Sequence, residues 1–72
     1  MKISEAAKIS GLPKDTIRYY TKIGLIKAGE KEAGTRIYAD YGKDELKKLE
    51  MILQGKQLGF TLQEIKHLLD LY

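Results

Sequence analysis

Four residues, Ser10-Gly11-Leu12-Pro13, restrict this chain more than any other stretch. A glycine free to take left-handed backbone ends one helix, and a proline whose ring fixes φ opens the next. Only a tight turn fits between them. Upstream, Ser4 is a candidate N-cap for a helix running to about Ser10, with Ile3, Ala6, Ala7 and Ile9 as a small, close-packing face. Downstream, the periodicity predicts a helix from about Lys14 to Ile23. Ile17, Tyr20 and Gly24 fall on one face of it, with Ile23 at the edge. Lys14, Asp15, Arg18 and Lys22 fall opposite, and Thr16 and Tyr19 lie to the side. Two short helices so closely joined form a helix-turn-helix pattern.

The rest of the chain supplies a wing and a helix pair. Leu25-Ile26-Lys27 is expected to begin a strand, Ala28 to Thr35 to form a polar tip, and Arg36-Ile37-Tyr38 to alternate as the returning strand. Residues 44–58 carry a helical stripe of Leu46, Leu49 and Leu53 with Ile52 beside them. Gly59-Phe60 breaks it. Thr61-Leu62-Gln63-Glu64 has the capping-box pattern, followed by a helix with Leu62, Ile65, Leu69 and Tyr72 on one face. The expected fold is mostly α: a winged helix-turn-helix with a short two-stranded wing and a following helix pair, as one domain over residues 1–72. Because the last stripe ends on apolar Leu71-Tyr72, the natural chain is expected to continue.

Composition narrows the function. The chain has 72 residues and no cysteine, which excludes disulfides and thiolate metal sites within it and is compatible with a reducing cytoplasm. One histidine, His67, cannot make a His cluster. No apolar run is long enough to span a membrane or act as a signal-peptide core. There is no phosphate-cradling glycine loop and no HExxH, so neither catalysis nor a cofactor is expected. The net charge of +3 is unevenly spread. Residues 1–36 hold eight Lys/Arg against four Asp/Glu, and residues 37–72 hold five against six. The positive field therefore sits with the helix-turn-helix and wing.

The second helix of such a motif presents its N-terminal residues to base edges in the major groove. Lys14 and Thr16 are the candidates for that role. Arg18, one turn on, can offer its fork of donors to phosphate, and Tyr19 its hydroxyl. Arg36 and Tyr38 repeat the guanidinium-plus-phenol pairing on the wing. Each also has a plainer reading: Arg18 and Lys22 as a solvated face, Tyr19 and Tyr38 as packing residues. Asp15 reads as a first-turn acid favoured by the helix dipole, with a cytosine contact as the alternative. Lys47, Lys48, Lys56 and His67 read as solvated.

With those elements placed, the chain resembles the DNA-binding domain of MerR-family transcription regulators. The resemblance rests on Ile3-Ser4-Glu5-Ala6-Ala7-Lys8, Gly11-Leu12, Thr16-Ile17-Arg18-Tyr19-Tyr20, Ile23-Gly24-Leu25-Ile26, Arg36-Ile37-Tyr38 and Leu58-Gly59-Phe60-Thr61-Leu62-Gln63-Glu64-Ile65. It implies recognition-helix contacts from Thr16, Arg18 and Tyr19 and wing contacts from Arg36 and Tyr38. It also implies a homodimer joined by a helix beyond residue 72, a separate effector domain, and distortion of double-stranded promoter DNA that acts on RNA polymerase indirectly. Four departures stand out: Thr21 where members often carry glutamate, Thr35 where the wing often carries tyrosine, Asp15 at a position that is often basic or polar, and a longer link over residues 38–46. Two other functions stay open on the sequence. One is an excisionase-like architectural DNA-binding factor; the other is a protein-binding adaptor using the apolar stripe that ends at Tyr72.

Overall fold

The structure is a computed structural model that describes residues 1–71, so the expected place of Tyr72 on the last stripe lies outside the described residues. Its order is α1 (Ile3–Ser10), α2 (Lys14–Lys22), β1 (Gly29–Ala33), β2 (Arg36–Asp40), α3 (Lys43–Gln57) and α4 (Leu62–Asp70). The fold is the expected one, mostly helical with a two-stranded wing. Helix α1 packs on both α2 and α3, and α3 packs on α4. Their apolar stripes enclose one core of Ala6, Ile17, Tyr20, Leu25, Ile26, Tyr41, Leu49, Ile52, Ile65 and Leu69.

The helix boundaries follow from local hydrogen bonding. Gly11 takes left-handed backbone (φ 77), and its N–H closes α1 on the Ala7 carbonyl. The Ser10 hydroxyl then accepts from the Leu12 N–H, so the turn satisfies its own backbone before Pro13 opens α2. At the far end of α2, the Leu25 N–H reaches the Tyr20 carbonyl and the Gly24 N–H reaches Thr21. This paired closure is a Schellman motif, and its usual apolar clasp is Leu25 against Tyr20 in the core. Thr61 caps α4 as expected: its hydroxyl accepts from the Glu64 N–H at 3.1 Å while the Glu64 carboxylate accepts from the Thr61 N–H at 2.9 Å. Those bonds hold the Glu64 carboxyl below its ordinary pKa, because they favour the charged form. Helices α3 and α4 approach closely where Gly55 lies against Ile65; a Cβ on residue 55 would stand 2.9 Å from Ile65 Cγ1.

Three expectations are corrected. Ser4 is not the N-cap of α1; Lys2 occupies that position without a side-chain cap, and the helix starts two residues earlier, at Ile3. Ile9 is largely exposed rather than packed on the α1 face. Leu25 and Ile26 do not begin a strand. They are buried, and β1 instead occupies Gly29–Ala33, the segment expected to be a loose tip. The Glu30-Lys31-Glu32 alternation is the strand signal, masked because none of its side chains is apolar.

Candidate nucleic-acid interface

Helix α2 sorts its side chains as the periodicity predicts. Ile17 and Tyr20 are buried, and burial together with the neighbouring Tyr19 pushes the Tyr20 phenol above its ordinary pKa. Lys14, Asp15, Arg18, Tyr19 and Lys22 are exposed, and Thr16 is half-buried. Tyr19 is 51% exposed, its ring tilted at 6.1 Å from that of Tyr20. The tyrosine pair therefore divides its labour: one ring closes the core, and the other stands at the surface beside Arg18. Arg18 Nη1 donates to the Asp15 carboxylate at 2.9 Å. Both groups are exposed, so the pair contributes little stability and leaves the guanidinium free to exchange onto a phosphate. Asp15 thus orients Arg18 from the same helix face.

Thr21 explains its own departure. Its hydroxyl donates to the Ile17 carbonyl at 2.8 Å, which spends its one proton. The Tyr41 hydroxyl, 3.1 Å away, must then be the donor between those two oxygens. Tyr41 is a fully buried core residue at the foot of the wing that the sequence does not reveal, because its phenol depends on a partner 20 positions away. A small hydroxyl at residue 21 is what accommodates that ring.

The wing stands off the helices. Every residue of β1 is exposed, and the molecule is elongated, 42 × 22 × 18 Å. Gly34 (φ 65) and Thr35 make a two-residue turn between paired Ala33 and Arg36, with glycine alone at positive φ as a type II′ hairpin requires. At the base, the Met1 amine donates to the Asp40 carboxylate and to the Tyr41 carbonyl (2.7 Å). The Tyr41 N–H returns a bond to the Met1 carbonyl at 2.7 Å. The amine's hydrogen bond and charge hold the Asp40 carboxyl below its ordinary pKa.

Strand register gives the wing two unlike faces. Residues opposite one another share a face, and successive residues alternate. Gly29/Asp40, Lys31/Tyr38 and Ala33/Arg36 fall on one side; Glu30/Ala39 and Glu32/Ile37 fall on the other. Arg36 and Tyr38 thus share a face, as expected, and Arg36 is exposed. Tyr38 is half-buried, and the Lys2 ammonium sits 4.7 Å from its ring centroid in cation–π geometry. Ile37, on the reverse face, is 63% exposed. Among the described residues no hydrogen bond or ion pair joins the α2 group of Lys14, Thr16, Arg18 and Tyr19 to the wing group of Arg36 and Tyr38. Sequence pattern alone does not single out Lys2 or Lys31, and the register of a correctly placed β1 is the signal that finds Lys31.

The family profile described as "MerR HTH family regulatory protein" matches residues 1–71. The chain belongs to this family. It is 44% identical over 72 residues to the HTH-type transcriptional regulator YfmP of Bacillus subtilis, covering 97% of this chain and 49% of that protein. It is likewise 44% identical to the HTH-type transcriptional regulator HmrR of Rhizobium leguminosarum, covering all of this chain and 54% of the relative. Among solved structures, the transcription regulator PbrR691 of Ralstonia metallidurans, crystallised with lead(II), superposes with a TM-score of 0.84 at 30% identity over 99% of this chain and 54% of that one. A MerR-family regulator of Listeria monocytogenes gives 0.82 at 32% identity, covering 99% of this chain and 52% of the other. The chain spans about half the length of these relatives. The family and the relatives named here are transcription regulators, not enzymes. None of its helices, among the described residues, is long and apolar enough to cross a membrane.

Proposed function

We propose that this domain binds double-stranded promoter DNA sequence-specifically, with α2 in the major groove and the wing along the adjacent backbone. Lys14 and Thr16, at the start of α2, read base edges; Arg18, Tyr19, Arg36 and Tyr38 hold phosphates and fix the register. The observation that supports this best is the division of the Tyr19-Tyr20 pair, which leaves one phenol beside Arg18 at the surface of a helix whose other face is fully used in packing. Residues 1–72 act as the DNA-binding unit of a longer cytoplasmic protein. There a dimerisation helix and an effector domain follow, and two copies engage a pseudo-palindromic site, because one half-site gives little affinity. Distortion of the promoter, acting on RNA polymerase indirectly, is the regulatory output.

The test is selection of duplexes from a random pool by the full-length protein, followed by affinity measurement on the recovered sequence. A palindromic motif is expected. Arg18→Ala should weaken binding to it by about 1.5–3 kcal/mol, the usual worth of a charge-assisted hydrogen bond. A pool that yields no motif, together with an Arg18→Ala variant of unaltered affinity, would refute the reading.

A further inference from the structure

The wing carries more positive charge on one face than its sequence suggests, and that charge is concentrated round a single ring. Lys31 lies directly across from Tyr38, Arg36 lies two residues along on the same face, and Lys2 reaches over from the N-terminal segment to sit 4.7 Å from the Tyr38 centroid. Among the described residues none of these three cations is in an ion pair. The only carboxylate on this face, Asp40, is already held by the Met1 amine, and Lys31 exerts only a longer-range pull on it. The reverse face carries Glu30 and Glu32 and no cation. A ribbon so divided can approach a polyanion by one side only.

We propose that Lys2 and Lys31 are DNA-phosphate contacts, completing with Arg36 a three-cation grip around Tyr38 built from the N-terminal segment, β1 and β2. This rests on the reading of the wing as a DNA-contacting element. The Tyr38 ring is the platform: its face holds the Lys2 ammonium in place, which lowers the freedom that a four-carbon side chain would otherwise lose on binding. Its hydroxyl stays available to a phosphate oxygen. Glu30 and Glu32 repel the backbone from the reverse face, so the same strands that attract in one orientation reject the other. Such contacts position the protein and carry no base information.

The experiment is a salt series of binding by the full-length protein, read by fluorescence anisotropy. It uses two labelled probes: a duplex recovered by selection and one of random sequence. Lys2→Gln and Lys31→Gln should each weaken binding about three- to tenfold, equally on both probes, and flatten the slope of log affinity against log salt by about 0.9 for each phosphate no longer neutralised. Lys2→Arg and Lys31→Arg, which keep the charge, should bind as the parent does. Tyr38→Leu loses both the platform and the hydroxyl and should weaken binding more than Lys2→Gln does, while Tyr38→Phe keeps the platform and forfeits only the hydroxyl. Glutamine variants with parental affinity and slope, beside a weakened Arg18→Ala, would overturn the assignment and leave the DNA reading standing. Unaltered binding in Arg18→Ala as well would take both down. Weakened binding in the arginine variants too would mean that these side chains support the fold rather than a phosphate, and would also overturn it.

Discussion

The four helices and the wing are built on opposite terms. Each helix buries at least one side chain in a shared core, so its place is set by where apolar residues fall in the 3.6-residue period. The wing buries none: β1 is exposed throughout, and β2 is at most half-buried. A two-stranded ribbon of this kind is marginal alone. Here it is held by a glycine turn at its tip and by Met1, Asp40, Thr21 and Tyr41 at its base. The helical body therefore folds on hydrophobic burial, and the wing on hydrogen bonds, charge and turn chemistry. The proposed DNA complex needs both, since the body would aim α2 and the wing would extend the surface on which cations are displayed.

Breaking the body should cost most. Ile17→Ala opens a cavity at a fully buried site and should destabilise the domain by about 2–5 kcal/mol, lowering the thermal midpoint for helices and wing together. If only the wing loosened in circular dichroism and amide exchange, the two regions would not share the core as described. Gly34→Ala strains the left-handed turn residue by about 1–2 kcal/mol. Exchange should quicken over residues 29–40 while the α3 amides keep their protection. Tyr41→Phe removes one hydrogen bond and leaves the Thr21 proton on Ile17, so a destabilisation of about 0.5–1.5 kcal/mol is expected. A double-mutant cycle with Thr21→Val should show the two changes to be non-additive.

Acid provides the gentlest discrimination. The folded protein holds the Asp40 carboxyl below its ordinary pKa, so the folded state binds fewer protons there than the unfolded chain does. The stability it contributes is complete above the ordinary carboxylate range and declines as pH falls through the lowered value. Glu64 behaves in the same sense at the cap of α4. Titration followed residue by residue should show the wing base loosening in acid, and Asp40→Asn should abolish that response at the wing while leaving the one at α4. An unchanged wing response in Asp40→Asn would place the acid-sensitive group elsewhere.

The same contrast explains what is legible in the sequence. Gly11 and Pro13, the Ile17/Tyr20 face and the Thr61/Glu64 box each act within a few residues, so local pattern suffices to place α1, α2 and α4. The exposure of Arg18, Tyr19 and Arg36 follows from period alone. Leu25 and Ile26 mislead because two adjacent apolar residues fit a strand as well as the clasp of a helix end. Strand β1 is hidden because alternation of charge without apolar partners looks like a loop. Tyr41 and Lys2 depend on Thr21 and Tyr38, partners far along the chain, and no local signal reports such meetings.

The meeting of Gly55 with Ile65 has a consequence for how this domain can vary. A Cβ added at residue 55 would stand 2.9 Å from Ile65 Cγ1 and 3.0 Å from its Cδ1, so that side chain would have to shift to admit it. A descendant that enlarged residue 55 by itself would press first on the seam between the last two helices, far along the chain from α2 and the wing.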